Sequence, residues 1–323
     1  MAAGRLHRTL RIRPMLEEEA GSVDVFDAIR SLDLPLLLRP LKSLLGAYLN
    51  DPGPGLLVTT ERPMSIQRFT AAHELGHYFL GHEPSLDDES ILRRMPIGRD
   101  PGVSFQEIEA DAFAVAFMIP KWLIHIHARR QSWTVDSFRE PMVVYQLSLR
   151  LGASYEATCR SLVRYGLLDM SDMHELLQTA PRRLKAELLH DYRPSNYRGD
   201  VWLLTERDAG TRISGSRNDL FVLRLNEHSD GGYLWNFDQL TASGFAIVRD
   251  ERESEDEQSD GTNAVRRVTA APNEAGRGRM AIDERRPWLP VEPLTTLALE
   301  FDLTGPEEIG LSRAERRHLL EAA

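Results

Sequence analysis

The sequence predicts an α+β fold in which a mostly helical first part carrying a short sheet is followed by a β-sandwich. Three observations predict it. Apolar residues recur at three-to-four spacing through most of the first 193 residues, the signature of amphipathic helices. After the 194–199 stretch the pattern switches to short apolar and β-branched runs separated by turn residues. The whole chain of 323 residues, 42% hydrophobic and 27% charged, has globular composition and room for about two domains. The boundaries expected are 1–130, then a wholly helical unit at 131–193, then a sandwich at 194–323 with an acidic loop at 249–260 and a C-terminal helix.

Taken in order, residues 24–32 and 41–49 read as helices on either side of a break holding Pro35 and Pro40. Residues 56–60 read as a strand after the Pro- and Gly-rich turn at 51–55. A helix starts near Ser65, because Pro63 precedes it and Phe69, Ala72, Gly76 and Phe79 share one stripe. Residues 84–104 read as an irregular loop, and a second helix runs over 105–119 until Pro120. Helices follow at 135–151 and 155–165 around a Gly152 turn, then two short ones to about His190. Strands are expected at 201–204, 220–225, 245–248, 265–269, 279–282 and 297–301. Residues 249–260, with seven acids, two arginines and no apolar residue, read as a solvated loop.

Charge and cysteine content narrow the function classes. With 39 basic and 49 acidic side chains the net charge is −10, which argues against nucleic acid or an anionic membrane as the main partner. The lone Cys159 forms no internal disulfide, in keeping with a reducing compartment. The basic first 15 residues lead into no apolar core of a signal peptide, and 18 apolar residues nowhere run together. A cytoplasmic chain without a membrane span is expected.

His73-Glu74-Leu75-Gly76-His77 on the helix starting near Ser65 is the most informative stretch. The four-residue step puts both imidazoles on one face, where they can bind one Zn²⁺, and Glu74 stands beside them able to take a proton from water. A third histidine does not complete the set: the pattern with glycine and histidine at the next positions would need them at 80 and 83, which are Leu80 and Glu83. His82 therefore reads as a helix-end residue. The third ligand is expected on the second helix, in Glu107-Ile108-Glu109-Ala110-Asp111. Glu107 and Asp111 share a face, so one can ligate the metal while the other accepts the outer N–H of a ligating histidine. Glu107 is the preferred ligand and Asp111 the supporting acceptor, with Glu109 or Asp111 as the alternatives.

Phe69-Thr-Ala-Ala-His-Glu-Leu-Gly-His77, Glu107-Ile-Glu-Ala-Asp-Ala-Phe-Ala114 and Met118-Ile-Pro120 together resemble the ImmA/IrrE family of metallopeptidases, over about residues 20–170. The resemblance implies a zincin-like domain with one zinc held by His73, His77 and Glu107, and Glu74 as general base. It also implies a substrate, a helix-turn-helix transcriptional repressor whose cleavage derepresses genes. Residues 143–167 are similar to the helix-turn-helix segment after the peptidase core of that family. Arg150, Arg160 and Arg164 could touch phosphates there, but the net charge favours a scaffold or a repressor-docking surface over DNA binding.

Leu223-Arg-Leu-Asn-Glu-His-Ser-Asp-Gly-Gly-Tyr-Leu-Trp235 and Arg286-Pro-Trp288 resemble two motifs of the chagasin-type cysteine-peptidase inhibitors, over about residues 200–303. That resemblance implies an immunoglobulin-like sandwich. The loops that make inhibitory contacts have diverged, at 228–232 and in the acidic segment, so a controlling or targeting role is expected rather than inhibition. The rival to a zinc endopeptidase is a catalytically silent regulatory or inhibitor-like binding protein, which would have no use for an intact general base.

Overall fold

A computed structural model describes residues 2–87, 104–253, 264–289 and 291–322. The first part is organised around the helix Met64–Leu80 and a four-stranded sheet of β1 (Leu36–Arg39), β2 (Gly46–Leu49), β3 (Gly55–Thr59) and β4 (Ser85–Asp87). Their order is β1-β3-β2-β4, with β1 parallel to β3 and the other pairs antiparallel. Helix Phe105–Met118 lies along Met64–Leu80, and Gly76 admits Ala110 and Phe113 to close range. The basic start of the chain forms two helices, Ala2–Thr9 and Ile12–Glu18, and His7 Nε2 lies 3.0 Å from the Phe117 carbonyl.

Four sequence expectations need correction. Residues 41–49 are not a helix: Gly46–Leu49 is β2, with Gly46, Ala47 and Tyr48 buried between β3, β4 and the helix above. A short strand covered on both faces reads as a continuous apolar run, and Leu41, Leu44, Leu45 and Leu49 happen to repeat at helical spacing. The loop expected at 84–104 begins with β4, and its residues 88–103 lie outside the described residues. The helix expected at 135–151 is broken at Pro141, which starts helix Pro141–Leu151 after a single tight turn at Asp136–Arg139; proline lacks the N–H that an earlier start would use. Finally, the strand at 245–248 continues as Phe245–Glu253, taking the first five residues of the acidic segment into the sheet. Charges paired across strands make this tolerable, as between Arg266 and Asp250 at 2.6 Å. Residues 254–260 of that segment lie outside the described residues.

The second part is a β-sandwich. Its strands are β5 (Val201–Leu204), β6 (Arg212–Ser214), β7 (Leu220–Glu227), β8 (Leu234–Asn236), β9 (Phe245–Glu253), β10 (Ala264–Pro272), β11 (Arg277–Arg285) and β12 (Thr295–Asp302). They form two sheets, β5-β7-β10-β9 and β6-β12-β11-β8. One buried cluster joins their inner faces, with Trp202, Phe221 and Phe245 from one side and Trp235, Met280 and Leu299 from the other. The three-residue strands β6 and β8 are too short to show alternation and escape a sequence reading. The expected C-terminal helix is Arg313–Ala322. Among the described residues no helix is long and apolar enough to cross a membrane.

The two parts meet at a buried polar seam. Arg150 donates to Asp208 Oδ1 at 2.8 Å and to the Leu203 carbonyl at 2.9 Å. Gln146 donates to the Val201 carbonyl at 2.9 Å and accepts from Leu203 N at 2.8 Å, so its side chain serves the β5 backbone. Arg150 thus faces inward, 7% exposed, and does not present itself to phosphates as its position in the sequence suggests. Removing it leaves the Asp208 carboxylate buried without its charge partner. Arg150→Ala should lower stability by about 3 kcal/mol or more in urea unfolding, whereas breaking the exposed Arg13–Glu17 pair with Arg13→Ala should cost under about 1 kcal/mol.

Candidate metal centre

His73 and His77 sit one turn apart on helix Met64–Leu80, both fully buried, with their Nε2 atoms 3.0 Å from each other. Helix Phe105–Met118 approaches from the opposite side. The Ser104 hydroxyl caps it, accepting from Glu107 N at 3.4 Å, and so fixes the first turn that carries Glu107. Glu107 Oε2 lies 3.2 Å from His73 Nε2, and its Oε1 lies 3.5 Å from His77 Nε2. One turn on, Asp111 Oδ1 lies 2.9 Å from His73 Nδ1. The two carboxylates of one helix face therefore address opposite nitrogens of the same imidazole.

A further residue joins them. Asp87, at the end of edge strand β4 and 3% exposed, places Oδ2 at 3.3 Å from His73 Nε2. One donor atom from each of His73, His77, Asp87 and Glu107 lies within 4.8 Å of all the others. Sequence reasoning missed Asp87 because it lies ten residues beyond His77 with no periodic relation to it; only the β2–β4 pairing brings it in. Glu109 stays outside this cluster, its Oε2 3.3 Å from His82 Nε2 and its side chain 43% exposed.

His82 is more than the end of a helix. Gly81 takes a left-handed conformation at φ 73°, and the backbone closes with His82 N to the His77 carbonyl at 3.0 Å and Gly81 N to the Tyr78 carbonyl at 3.2 Å. This turn folds His82 back so that its Nδ1 lies 3.1 Å from His77 Nδ1. With His77 Nε2 offering a lone pair to the cluster, His77 Nδ1–H donates to His82, whose Nε2–H donates to Glu109. Burial lowers the His82 pKa, consistent with a neutral ring in that relay.

The donor set fits a small dication. Two imidazole lone pairs and two carboxylates converge in a buried volume where, without a cation, the like charges would repel. Three of the contacts from His73 Nε2, at 3.0, 3.2 and 3.3 Å, match the roughly 3.3 Å edge of a tetrahedron of ligands at about 2.0–2.1 Å from zinc. Nitrogen and oxygen donors in this ratio suit zinc better than calcium or magnesium, which take oxygen alone.

Glu74, fully buried, lies beside the cluster, and no donor among the described residues gives either of its oxygens a hydrogen bond. Burial pushes its pKa well above the usual carboxylate range, reinforced by Asp87 and Glu107 and opposed by the charge on His73. For His73, burial acts to lower the pKa, but its contacts with Asp111, Asp87 and Glu107 outweigh that and raise it. Gly46 on β2 makes room for Glu74: a Cβ there would overlap Glu74 Oε1 and Thr70 Cγ2. Gly46→Ala should therefore cost about 1–3 kcal/mol of stability, measured by urea unfolding, through overpacking at this one point.

No curated protein matches the chain in sequence. Among solved structures, the C-terminal region is similar to a cysteine protease inhibitor from Entamoeba histolytica, 24% identical with a TM-score of 0.29, over 32% of this chain and 95% of that one. It is also similar to amebosin, 21% identical with a TM-score of 0.27, over 31% of this chain and 95% of that one. The sandwich itself rests on its two sheets and their shared core, not on these likenesses. The Peptidase_M78 sequence model, described as the IrrE N-terminal-like domain, matches residues 38–163, a span that contains β2 through β4, His73, Glu74, His77, Asp87, Glu107 and Asp111. Residues 38–163 are thus similar to the IrrE N-terminal-like domain of this peptidase family.

Proposed function

We propose that the chain is a zinc-dependent endopeptidase that cleaves a helix-turn-helix transcriptional repressor in the cytoplasm and so switches genes on. The observation that carries the catalytic part is the unpartnered, fully buried Glu74 next to four converging metal donors, inside a peptidase-family domain. The repressor substrate follows from the likeness to the ImmA/IrrE family.

In this reading His73, His77 and Glu107 hold the metal, and Asp111 fixes the His73 tautomer by accepting its Nδ1–H. A bound zinc would polarise the scissile carbonyl and make a water acidic enough to attack near neutral pH. Glu74 accepts the proton of that water and passes it to the leaving amine nitrogen. Helix Met64–Leu80 fixes Glu74 relative to the histidines because all three belong to one and a half turns of the same rigid element.

The sandwich takes the role of targeting or controlling the peptidase. Trp235 is part of its core, whereas Trp288 is 65% exposed and lies over Gly232. Arg286 ties the two loops together, donating to the Gly231 carbonyl at 2.8 Å and lying 4.5 Å from the Tyr233 ring centroid. This clamp gives a partner a preformed aromatic surface.

Two sets of variants test the reading. Glu74→Gln should retain about one zinc per chain by elemental analysis yet lose cleavage of the repressor by at least roughly 100-fold, because the amide cannot accept the proton; undiminished cleavage would refute the mechanism. Glu107→Gln should weaken zinc affinity by roughly 100-fold or more, and Glu109→Gln, which acts only through His82 and His77, by about 10-fold at most. Competition against a chromophoric chelator measures both. The reverse ranking would show that Glu109 supplies the ligand.

A further inference from the structure

We infer that Asp87 is a fourth protein ligand to the metal, and that the arrangement seen here is a closed, latent form of the site. The inference rests on the metallopeptidase reading and concerns what stands in the position that water or substrate must occupy.

A catalytic zinc keeps three protein ligands and one open position, whereas four protein ligands close the tetrahedron. In this chain the fourth corner has a candidate already in place. Asp87 Oδ2 is as near to His73 Nε2, at 3.3 Å, as Glu107 Oε2 is at 3.2 Å. Among the described residues it has no hydrogen-bond donor, although Asp87 is 3% exposed. Its Oδ2, buried and without a hydrogen-bond donor among the described residues, is aimed at the same point as the other three donor atoms.

Charge balance points the same way. Counting the four donors alone, two neutral imidazoles and two carboxylates match the charge of a dication. With Asp87 removed the centre carries one net positive charge, which acidifies a bound water far more strongly. The carrier of Asp87 can also give way. β4 is three residues long, stands at the edge of its sheet and pairs only with β2 among the described residues, so it is the strand with least to lose on shifting. The backbone N–H of Leu45 donates to the Asp87 carbonyl at 2.8 Å, which keeps the residue in register with the cluster in the closed form.

The test uses the full chain loaded with zinc, with acetohydroxamate as a small probe that binds zinc only where a position is open. Asp87→Ala should lower zinc affinity at least tenfold against a chromophoric chelator and raise acetohydroxamate affinity at least tenfold. Asp87→Asn, which keeps size and strand pairing, should move both in the same directions and decides the matter if the alanine variant fails to fold. In cobalt-loaded protein the visible absorption bands should shift in either variant. A native chain that takes up one zinc and shows the same zinc and acetohydroxamate affinities as its Asp87 variants overturns this inference alone. A native chain that takes up no zinc overturns the peptidase reading and this inference with it.

Discussion

Four carboxylates and two imidazoles share one interior region of the first domain, and the demand of that region for a cation is the constraint from which the surrounding structure follows. Glu74, Asp87, Asp111 and the two histidines are buried, and Glu107 is nearly so. Hydrophobic packing alone would not place them together, since each charge costs several kcal/mol to desolvate without a partner. The core around them is instead shaped to bring three separate segments to one point. Gly46 thins β2 so that Glu74 fits, Gly76 lets the second helix approach, and Gly81 turns the chain so that His82 returns to His77.

These contacts divide the polar groups into those that converge and those that hold. Nε2 of both histidines, Asp87 and Glu107 converge. Asp111 and the His82–Glu109 pair stand behind the imidazoles, one beside each ring, close to Nδ1. Orientation from behind restricts each ring to one tautomer, which is how a protein keeps a metal site rigid without further ligands. The polar seam at Arg150 and Gln146 performs a comparable service on a larger scale, since it fixes the sandwich against the helices through the β5 backbone.

What could be read in the sequence follows from the range of the signal. His73, Glu74 and His77 belong to one short pattern on one helix, and Glu107 with Asp111 to another, so their shared faces follow from helical geometry. The long amphipathic helices and the longer sandwich strands were legible for the same reason. Asp87 and His82 were not recognisable as neighbours of the cluster, because a strand pairing and a left-handed glycine turn bring them there rather than any periodicity. β2 reads as a helix in the sequence because a buried strand and a buried helix share the same apolar composition over so few residues. Burial likewise decided Arg150: its place on a predicted two-helix unit suggested solvent, but its guanidinium completes a buried network with Asp208.

The central claim is that these residues form a metal centre. Crystals of the full chain grown with zinc and measured on both sides of the zinc absorption edge test it most directly. The account predicts one strong anomalous peak per chain, about 2.0–2.2 Å from His73 Nε2, His77 Nε2 and a Glu107 oxygen. Absence of a peak there, or a peak held by other residues in place of these three, would contradict it.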